Sequence, residues 1–228
     1  MTRGLTYPLV AINFKTYVEA TGEGAVRLAK VAEDVSLRTG VCVAVAPQYS
    51  DLYRVSGKVR IPILAQHVDH YDPGAHTGSS CMEAAKEAGA IGSLVNHSEH
   101  MLKLSEIDLI TQKMRQIGLT SVVCTNTTSV SAAVAALGPD VIAIEPPDLI
   151  GTGIPVSKAR PEIVSDTVAI IRKINPKVQV LCGAGITKGE DVAAASRLGA
   201  SGVLMSSGFV KARDPLAALT DLANGAKS

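Results

Sequence analysis

The stretch from Val178 to Gly208 reads VQVLCGAGITKGEDVAAASRLGASGVLMSSG. Its two ends, Val178–Cys182 and Gly202–Met205, are short apolar runs, and Glu190–Leu198 between them has helical spacing. Apolar runs without in/out alternation are typical of strands that are buried on both faces, as in a parallel sheet. This stretch therefore predicts one β/α repeat followed by the next strand of such a sheet.

The same pattern occurs along the whole chain of 228 residues, with helical segments between most of the apolar runs. The other runs are Pro8–Asn13, Val41–Ala46, Ile61–Gln66, Ile91–Asn96, Ser121–Thr125 and Val141–Glu145. Eight β/α repeats without a linker or a break in composition favour a closed barrel over a doubly wound sheet. We predict an α/β protein, a (β/α)₈ barrel whose single domain spans residues 1–228.

The composition argues against several classes of function. The chain has 22 basic and 21 acidic residues, no Trp and two Phe, so the charge footprint and stacking residues of a nucleic-acid-binding protein are missing. No run of 18 apolar residues occurs, and Pro8–Ile12 is too short for a signal peptide. We expect a soluble, cytoplasmic protein without nucleic-acid or membrane partners.

Four cysteines occur in the sequence: Cys42, Cys81, Cys124 and Cys182. None forms a C-x-x-C pair or has a His at metal-ligand spacing, which argues against a zinc site or a disulfide framework. We predict buried free thiols and no metal.

Active sites of such barrels lie at the carboxyl ends of the strands, where charged side chains follow several of the predicted strands here. Lys15 follows the first run, although a lysine there could equally lie exposed in a loop. His97 follows the fourth run and opens a predicted short helix, 97–102, whose N-terminus would favour a neutral imidazole. Alternatively, His97 only packs at that end of the barrel, and we expect His100 to face solvent.

Glu145 ends the sixth run and precedes the loop Pro146–Gly153, which begins with two prolines and contains two glycines. A carboxylate there is either a catalytic base or a partner in an ion pair. Prolines that restrict the entry and glycines that add freedom near the end are typical of a hinged lid, although an ordinary surface loop is the alternative.

Small residues follow the last two strands, in Gly183-Ala184-Gly185 and in Ser206-Ser207-Gly208. Such loops let backbone N–H groups approach a ligand, and in many barrels they bind a phosphate. They indicate a phosphorylated substrate, unless they are only tight β/α turns.

Four motifs together resemble the triosephosphate isomerase family over nearly the whole chain. They are Asn13-x-Lys15, His97-Ser98-Glu99, Glu145-Pro146 with Ile150-Gly151-Thr152-Gly153, and the loop Pro73–Gly78. The resemblance implies a TIM barrel that interconverts dihydroxyacetone phosphate and glyceraldehyde 3-phosphate through an enediolate, without a cofactor or a metal.

The resemblance also implies a role for each matching residue. Glu145 would be the base, His97 the electrophile, and Lys15 would stabilise the enediolate. The remaining residues would bind substrate, support the site or reach a neighbouring subunit. Substrate binding is expected for Asn13, Lys15, Ile150, Gly151, Gly183, Ala184, Gly185, Ser206 and Ser207, support for Ser98 and Glu99, and the subunit contact for Thr77.

Departures from the family pattern occur in the phosphate loops and the lid. The common Tyr-Gly-Gly-Ser is Cys182-Gly183-Ala184-Gly185 here, the usual Gly-Gly is Ser206-Ser207, and no tryptophan follows Glu145-Pro146. These features and the short chain resemble the compact archaeal branch, whose members are tetramers.

The residues Thr125–Pro139 predict a second subunit contact, which would pair two of the dimers implied by the Thr77 loop into a tetramer. This stretch contains a predicted outer helix but no charged residue, so an apolar face would remain outside the barrel. Alternatively, a neighbouring helix of the same chain covers it.

Two competing functions remain at this point. Another phosphate-binding barrel, such as a sugar-phosphate isomerase or an aldolase, is the first, although an aldolase would need a Schiff-base lysine inside a strand and no strand core contains one. A barrel that binds ligands or serves as a scaffold without turnover is the second.

Overall fold

A computed structural model describes residues 4–149 and 152–228. Its core is one sheet of eight parallel strands. The strands are β1 (Leu9–Asn13), β2 (Cys42–Ala46), β3 (Leu64–Ala65), β4 (Gly92–Val95), β5 (Thr120–Thr125), β6 (Val141–Ile144), β7 (Gln179–Cys182) and β8 (Gly202–Met205).

The strand order β2-β1-β8-β7-β6-β5-β4-β3 rolls the sheet into a nearly closed barrel. β2 and β3 meet at the remaining seam, where Val45 and Ile63 form an isolated parallel bridge and the Val45 N–H donates to the Pro62 carbonyl at 3.1 Å. The predicted single-domain (β/α)₈ fold is confirmed. The third strand is shorter than predicted, because only Leu64–Ala65 pairs with β4.

The helices surround the barrel and alternate with the strands. They are α1 (Glu23–Thr39), α2 (Leu52–Ser56), α3 (Met82–Glu87), α4 (Leu104–Ile117), α5 (Thr128–Leu137), α6 (Val156–Ala159), α7 (Pro161–Ile174), α8 (Gly189–Arg197), α9 (Ser207–Val210) and α10 (Pro215–Gly225). None of the helices in the described ranges is long and apolar enough to cross a membrane.

Each strand contributes to two apolar cores, because successive side chains point to opposite faces. In β1, Leu9 and Ala11 belong to the core inside the barrel, whereas Val10 and Ile12 belong to the core between strands and helices. Gly202 permits the close pairing of β8 with β1, since a Cβ there would lie 2.0 Å from the Leu9 carbonyl oxygen. This double burial explains the continuous apolar runs of the sequence.

All four cysteines are free thiols. Cys124 and Cys182 are buried as predicted, but the prediction is wrong for Cys42 and Cys81, which are partly exposed. Cys42 is the first residue of β2, at the amino end of the strand. Cys81 directly precedes α3, outside the barrel.

The outer face of α5 is apolar and exposed. Ser131, Val134 and Ala135 are buried against the chain, whereas Val130, Ala133 and Ala136 are exposed. The alternative that a neighbouring helix covers this face is therefore wrong for these three residues.

Candidate active site

One pocket at the carboxyl ends of the strands brings together most of the residues predicted for the site. Its lining consists of Asn13, Lys15, Tyr17, His97, Glu145, Gly153, Gly183, Ala184, Gly185, Ile186, Thr187, Leu204, Met205, Ser206 and Ser207. Ile150 and Gly151, which were predicted to bind substrate, lie outside the described residues.

Lys15 takes its position from a left-handed backbone with φ 48°, which is uncommon for a residue with a side chain. The Asn13 side-chain oxygen accepts a hydrogen bond from the Lys15 N–H at 2.8 Å. The Gln66 amide donates to the Lys15 carbonyl at 3.0 Å, so a residue at the end of β3 also supports the conformation. These bonds direct the lysine into the barrel mouth, where only 13% of its side chain is exposed.

The Lys15 ammonium donates to the Glu99 carboxylate, with Nζ and Oε1 2.7 Å apart. Glu99 is 58% exposed, so this ion pair lies at the rim of the pocket. An ion pair with an exposed partner contributes little to the free energy of folding. Another anion could therefore replace the Glu99 carboxylate at a small cost in free energy. The ion pair therefore holds the Lys15 side chain at the pocket, and the ammonium can still interact with another anion.

His97 is buried, and its two ring nitrogens have different surroundings. Nδ1 accepts a hydrogen bond from the Glu99 N–H at 3.2 Å, which assigns the ring proton to Nε2. Nε2 lies 3.8 Å from Glu145 Oε2. Burial and the charge of Lys15 lower the pKa of His97, against the opposing effect of Glu99. The ring is therefore a neutral hydrogen-bond donor.

The predicted helix that starts at His97 is wrong. Residues 98–99 form a turn in which the His100 N–H donates to the His97 carbonyl at 2.7 Å, and the next helix, α4, begins at Leu104. Asn96 diverts the chain, because it has φ 58° and its side-chain oxygen accepts from the Leu102 N–H at 2.8 Å. The neutral imidazole is thus explained by burial and a nearby cation, not by a helix N-terminus.

Glu145 directly follows β6, where its N–H donates to the Thr125 carbonyl at 2.8 Å. Its side chain is 8% exposed, and Oε2 has no hydrogen-bond partner. Burial raises the pKa of Glu145 to about 7, although the Cys124 thiol and the charge of Lys15 act in the opposite direction. A carboxylate with this pKa and a free oxygen is suited to proton transfer near neutral pH.

Gly183 is required by the position of Glu145. A Cβ at residue 183 would lie 2.7 Å from Glu145 Cγ, closer than side chains can approach. Gly185 has φ 68°, and a Cβ there would lie 1.9 Å from the Ile154 carbonyl oxygen. The two glycines therefore let the loop after β7 approach both the carboxylate and the end of the predicted lid.

Ser206 follows β8 and lines the same pocket. Its hydroxyl oxygen is buried and has no hydrogen-bond partner. Native proteins seldom leave such a group unpaired, because desolvation without a partner costs roughly 1–3 kcal/mol. A polar ligand in the pocket would remove that cost.

The described residues of the lid make contacts on both sides of the segment 150–151. Arg160 forms an ion pair with Asp148, and the Thr152 hydroxyl donates to the Leu149 carbonyl at 2.8 Å. Further along, the Val156 N–H donates to the Ala184 carbonyl at 3.2 Å. The chain that follows the lid is therefore attached to the loop after β7.

Thr77 lies away from the pocket, in an exposed loop that comprises residues 71–79. Lys113 of α4 holds the base of this loop, because its ammonium donates to the Tyr71 carbonyl at 2.7 Å and to Asp72 at 2.8 Å. Thr77 is not among the residues that line the pocket of its own chain.

Sequence reasoning assigned no role to Tyr17 or Gln66. Tyr17 lines the pocket beneath Lys211, whose ammonium lies 4.0 Å from the ring centroid. Position alone could have indicated Gln66, since it follows a strand as the other site residues do. Within the described residues, no cluster of three His, Cys, Asp or Glu side chains is arranged to bind a metal.

The arrangement combines a carboxylate base, a neutral imidazole donor and a cation around one small pocket. These groups can remove a proton from a carbon next to a carbonyl group while they stabilise the resulting oxyanion.

Comparisons with known proteins agree with this chemistry. The model of the family described as "Triosephosphate isomerase" matches residues 8–225. A triosephosphate isomerase of Methanobacterium bryantii is 56% identical over 215 residues, which cover 94% of this chain and 95% of that protein. Those of Methanothermobacter thermautotrophicus and Methanothermus fervidus are 54% and 55% identical, covering 94% of this chain and 94% and 97% of theirs.

Burial of Glu145 predicts a pH-dependent stability difference between the protein and its Glu145→Gln variant. Because burial raises the folded-state pKa from 4.5 to about 7, the native state binds this proton more tightly than the unfolded state. The stabilisation is complete below pH 4.5 and is lost as the pH rises to about 7. Glutamine does not ionise, so the variant should gain about 3 kcal/mol relative to the parent over that range.

Urea unfolding of both proteins between pH 4 and pH 8, at one protein concentration, measures the difference. A difference that does not change with pH would mean that Glu145 ionises as it does in water.

Proposed function

The chain belongs to the triosephosphate isomerase family, and from this membership we propose that Lys15, His97 and Glu145 carry out its reaction. The enzyme interconverts dihydroxyacetone phosphate and D-glyceraldehyde 3-phosphate, a step of glycolysis and of gluconeogenesis. The observation that supports these roles best is the free Oε2 of Glu145, 3.8 Å from Nε2 of a neutral His97.

Glu145 as a carboxylate takes a proton from the carbon next to the carbonyl group, which leaves an enediolate. Nε2–H of His97 donates to the oxygen on which negative charge develops. Nε2 of His97 gives its proton to the former carbonyl oxygen and takes the hydroxyl proton from the neighbouring oxygen. Glu145 returns its proton to the former carbonyl carbon, so both side chains end in their starting protonation states. A base with a pKa of about 7 suits both directions, since it must accept and release the same proton.

Lys15 stabilises the enediolate electrostatically. Its ammonium contacts the exposed Glu99, and an anionic substrate would compete with Glu99 for it. Asn13 holds the Lys15 backbone through the 2.8 Å bond and lines the pocket itself. Ser98 belongs to the turn that carries the imidazole, and we assign it and Glu99 a supporting role.

The phosphate is bound by the loops after β7 and β8, which comprise Gly183-Ala184-Gly185 and Ser206-Ser207. Their small side chains leave backbone N–H groups accessible, and the unpaired Ser206 hydroxyl adds a further donor. Ile150 and Gly151 would complete this contact when the lid closes over the substrate. Lid closure excludes water and strengthens the electrostatic interactions in the pocket.

Two surfaces support an assembly of four chains. The exposed loop of residues 71–79, with Thr77 near its end, would contact a neighbouring subunit in a dimer. The exposed, uncharged face of α5 would join two such dimers, since apolar patches of this kind usually mark subunit contacts. Relatives from methanogenic archaea further support an archaeal source, and a cytoplasmic location follows from the glycolytic role.

Shortening the base tests its assignment. Glu145→Asp retracts the carboxylate by one methylene, which should lower kcat on the order of 10²-fold because proton transfer depends on contact distance. A coupled assay with dihydroxyacetone phosphate measures kcat, and thermal melting verifies that the variant folds. A folded variant with parental turnover would exclude Glu145 as the base.

Removing the unpaired hydroxyl tests the phosphate loop. Ser206→Ala should lower kcat/KM for glyceraldehyde 3-phosphate about tenfold, as expected for the loss of one hydrogen bond to a charged group. Turnover of glyceraldehyde, which has no phosphate, should not change.

Thr111→Val is the matched control, because the Thr111 hydroxyl is also buried and unpaired but lies in α4, outside the pocket lining. If Ser206→Ala affected both substrates equally, or neither, Ser206 would not bind the phosphate through its side chain.

Charges on α5 test the second interface. Ala133→Glu with Ala136→Glu should convert tetramers into active dimers, because the exposed face would then carry like charges on both sides of the contact. Light scattering at micromolar concentration measures the mass. Ala217→Glu with Asn224→Glu places the same charge on exposed positions of α10 and should leave a tetramer. A parent protein that is already a dimer would disprove the interface.

A further inference from the structure

The orientation of the His97 ring depends on the turn that follows it. The turn is closed by the bond from the His100 N–H to the His97 carbonyl at 2.7 Å, and the Glu99 N–H is bonded to the ring itself. Both Glu99 and His100 are exposed. A change in this turn would therefore reach the imidazole through these two hydrogen bonds.

His67, which follows β3, supports this turn from the side. Its ring stacks on the His100 ring, with centroids 4.0 Å apart and planes inclined by 22°. Stacking of aromatic rings is favourable beyond the area that it buries. The stack therefore joins the exposed turn after β4 to the loop after β3.

His67 is itself held firmly, in contrast to His100. Only 13% of its side chain is exposed, and Nε2 bonds to Asp69 Oδ1 at 3.2 Å. Asp69 is fixed in turn by Ser80, whose N–H donates to Asp69 Oδ2 at 2.6 Å and whose carbonyl accepts from the Asp69 N–H at 2.9 Å. The pair of residues 69 and 80 thus forms a rigid base for the stack.

The surroundings of His67 also determine its charge. Its Nδ1 is buried and has no hydrogen-bond partner, so a proton on this nitrogen would be an unsatisfied buried donor. The neutral ring with its proton on Nε2, donating to Asp69, avoids this cost. Burial accordingly lowers the pKa of His67. A neutral ring can stack on His100 without repulsion at neutral pH.

We propose that His67 is a positioning residue for the isomerase reaction, which holds the catalytic imidazole in place by stacking on His100. It touches no reacting atom and lies outside the pocket lining. The inference rests on the proposed role of His97 as the electrophile. It adds to that role a lateral support from a different β/α unit of the barrel.

Three substitutions of His67 separate stacking from hydrogen bonding. His67→Ala removes both and should lower kcat about tenfold with KM within twofold, since a small displacement of a catalytic group lowers the rate more than it weakens binding. His67→Phe restores a planar ring without the bond to Asp69, and it should recover most of kcat. His67→Gln keeps a donor for Asp69 without a ring, and it should remain as slow as His67→Ala.

A double-mutant cycle tests whether the effect passes through His100. His100→Ala is a substitution at an exposed position and should lower kcat as much as His67→Ala does. The double variant should be no slower than either single variant, because residues that act through one contact are not additive. If His67→Ala does not fold, the kcat of His100→Ala alone tests the proposal.

The proposal is overturned if folded His67→Ala or His100→Ala keeps kcat within twofold, if the two effects multiply, or if His67→Gln recovers as well as His67→Phe. Dependence of the loss of kcat on protein concentration would also overturn the proposal, since a weakened assembly would then be the cause.

His97→Gln in the same assay separates the two proposals. If that variant is as active as the parent, the electrophile assignment fails. If it is inactive while the His67 variants are unaffected, only the present inference fails.

Discussion

Desolvation of the Glu145 carboxylate is the interaction on which the rest of the site depends. The carboxyl group lies at the end of a fully buried strand, one of its oxygens has no partner, and burial raises its pKa to about 7. A charge in such a place is costly unless neighbouring groups stabilise it. The charge of Lys15 favours the ionised carboxylate, and Gly183 leaves the space that the Glu145 side chain occupies.

Unpaired buried polar atoms are the second feature of the site. Among the described residues, four buried side-chain polar atoms have no partner, and two of them, Glu145 Oε2 and Ser206 Oγ, belong to residues that line the pocket. Unpaired groups reduce stability, and in native proteins they require an explanation such as a ligand. In the proposed mechanism, Glu145 accepts the proton of the reacting carbon and the Ser206 hydroxyl donates to the phosphate.

The barrel makes these contacts possible because it brings together strand ends that are far apart in sequence. Lys15 and Glu99 are separated by 84 residues, yet their side chains meet at 2.7 Å. His67 and His100 belong to neighbouring β/α units and stack face to face. Parallel pairing sets this proximity, since all eight carboxyl ends lie at the same end of the sheet. The bridge between Val45 and Ile63 completes the ring of strands despite the short β3.

The sequence by itself determined the fold class, the order of the eight strands and, through the family motifs, which residues to examine. Strands buried on both faces are apolar at most positions, so the runs could be recognised without any knowledge of their neighbours. Local sequence patterns predicted the structure less well where hydrogen bonds between distant residues determine the backbone conformation. The predicted helix at His97 is a turn, because Asn96 bonds to the Leu102 N–H and to the Cys124 carbonyl of another strand. Only the tertiary structure decided the tautomer of His97, the free oxygen of Glu145 and the support from His67, because each depends on atoms that folding alone brings into contact.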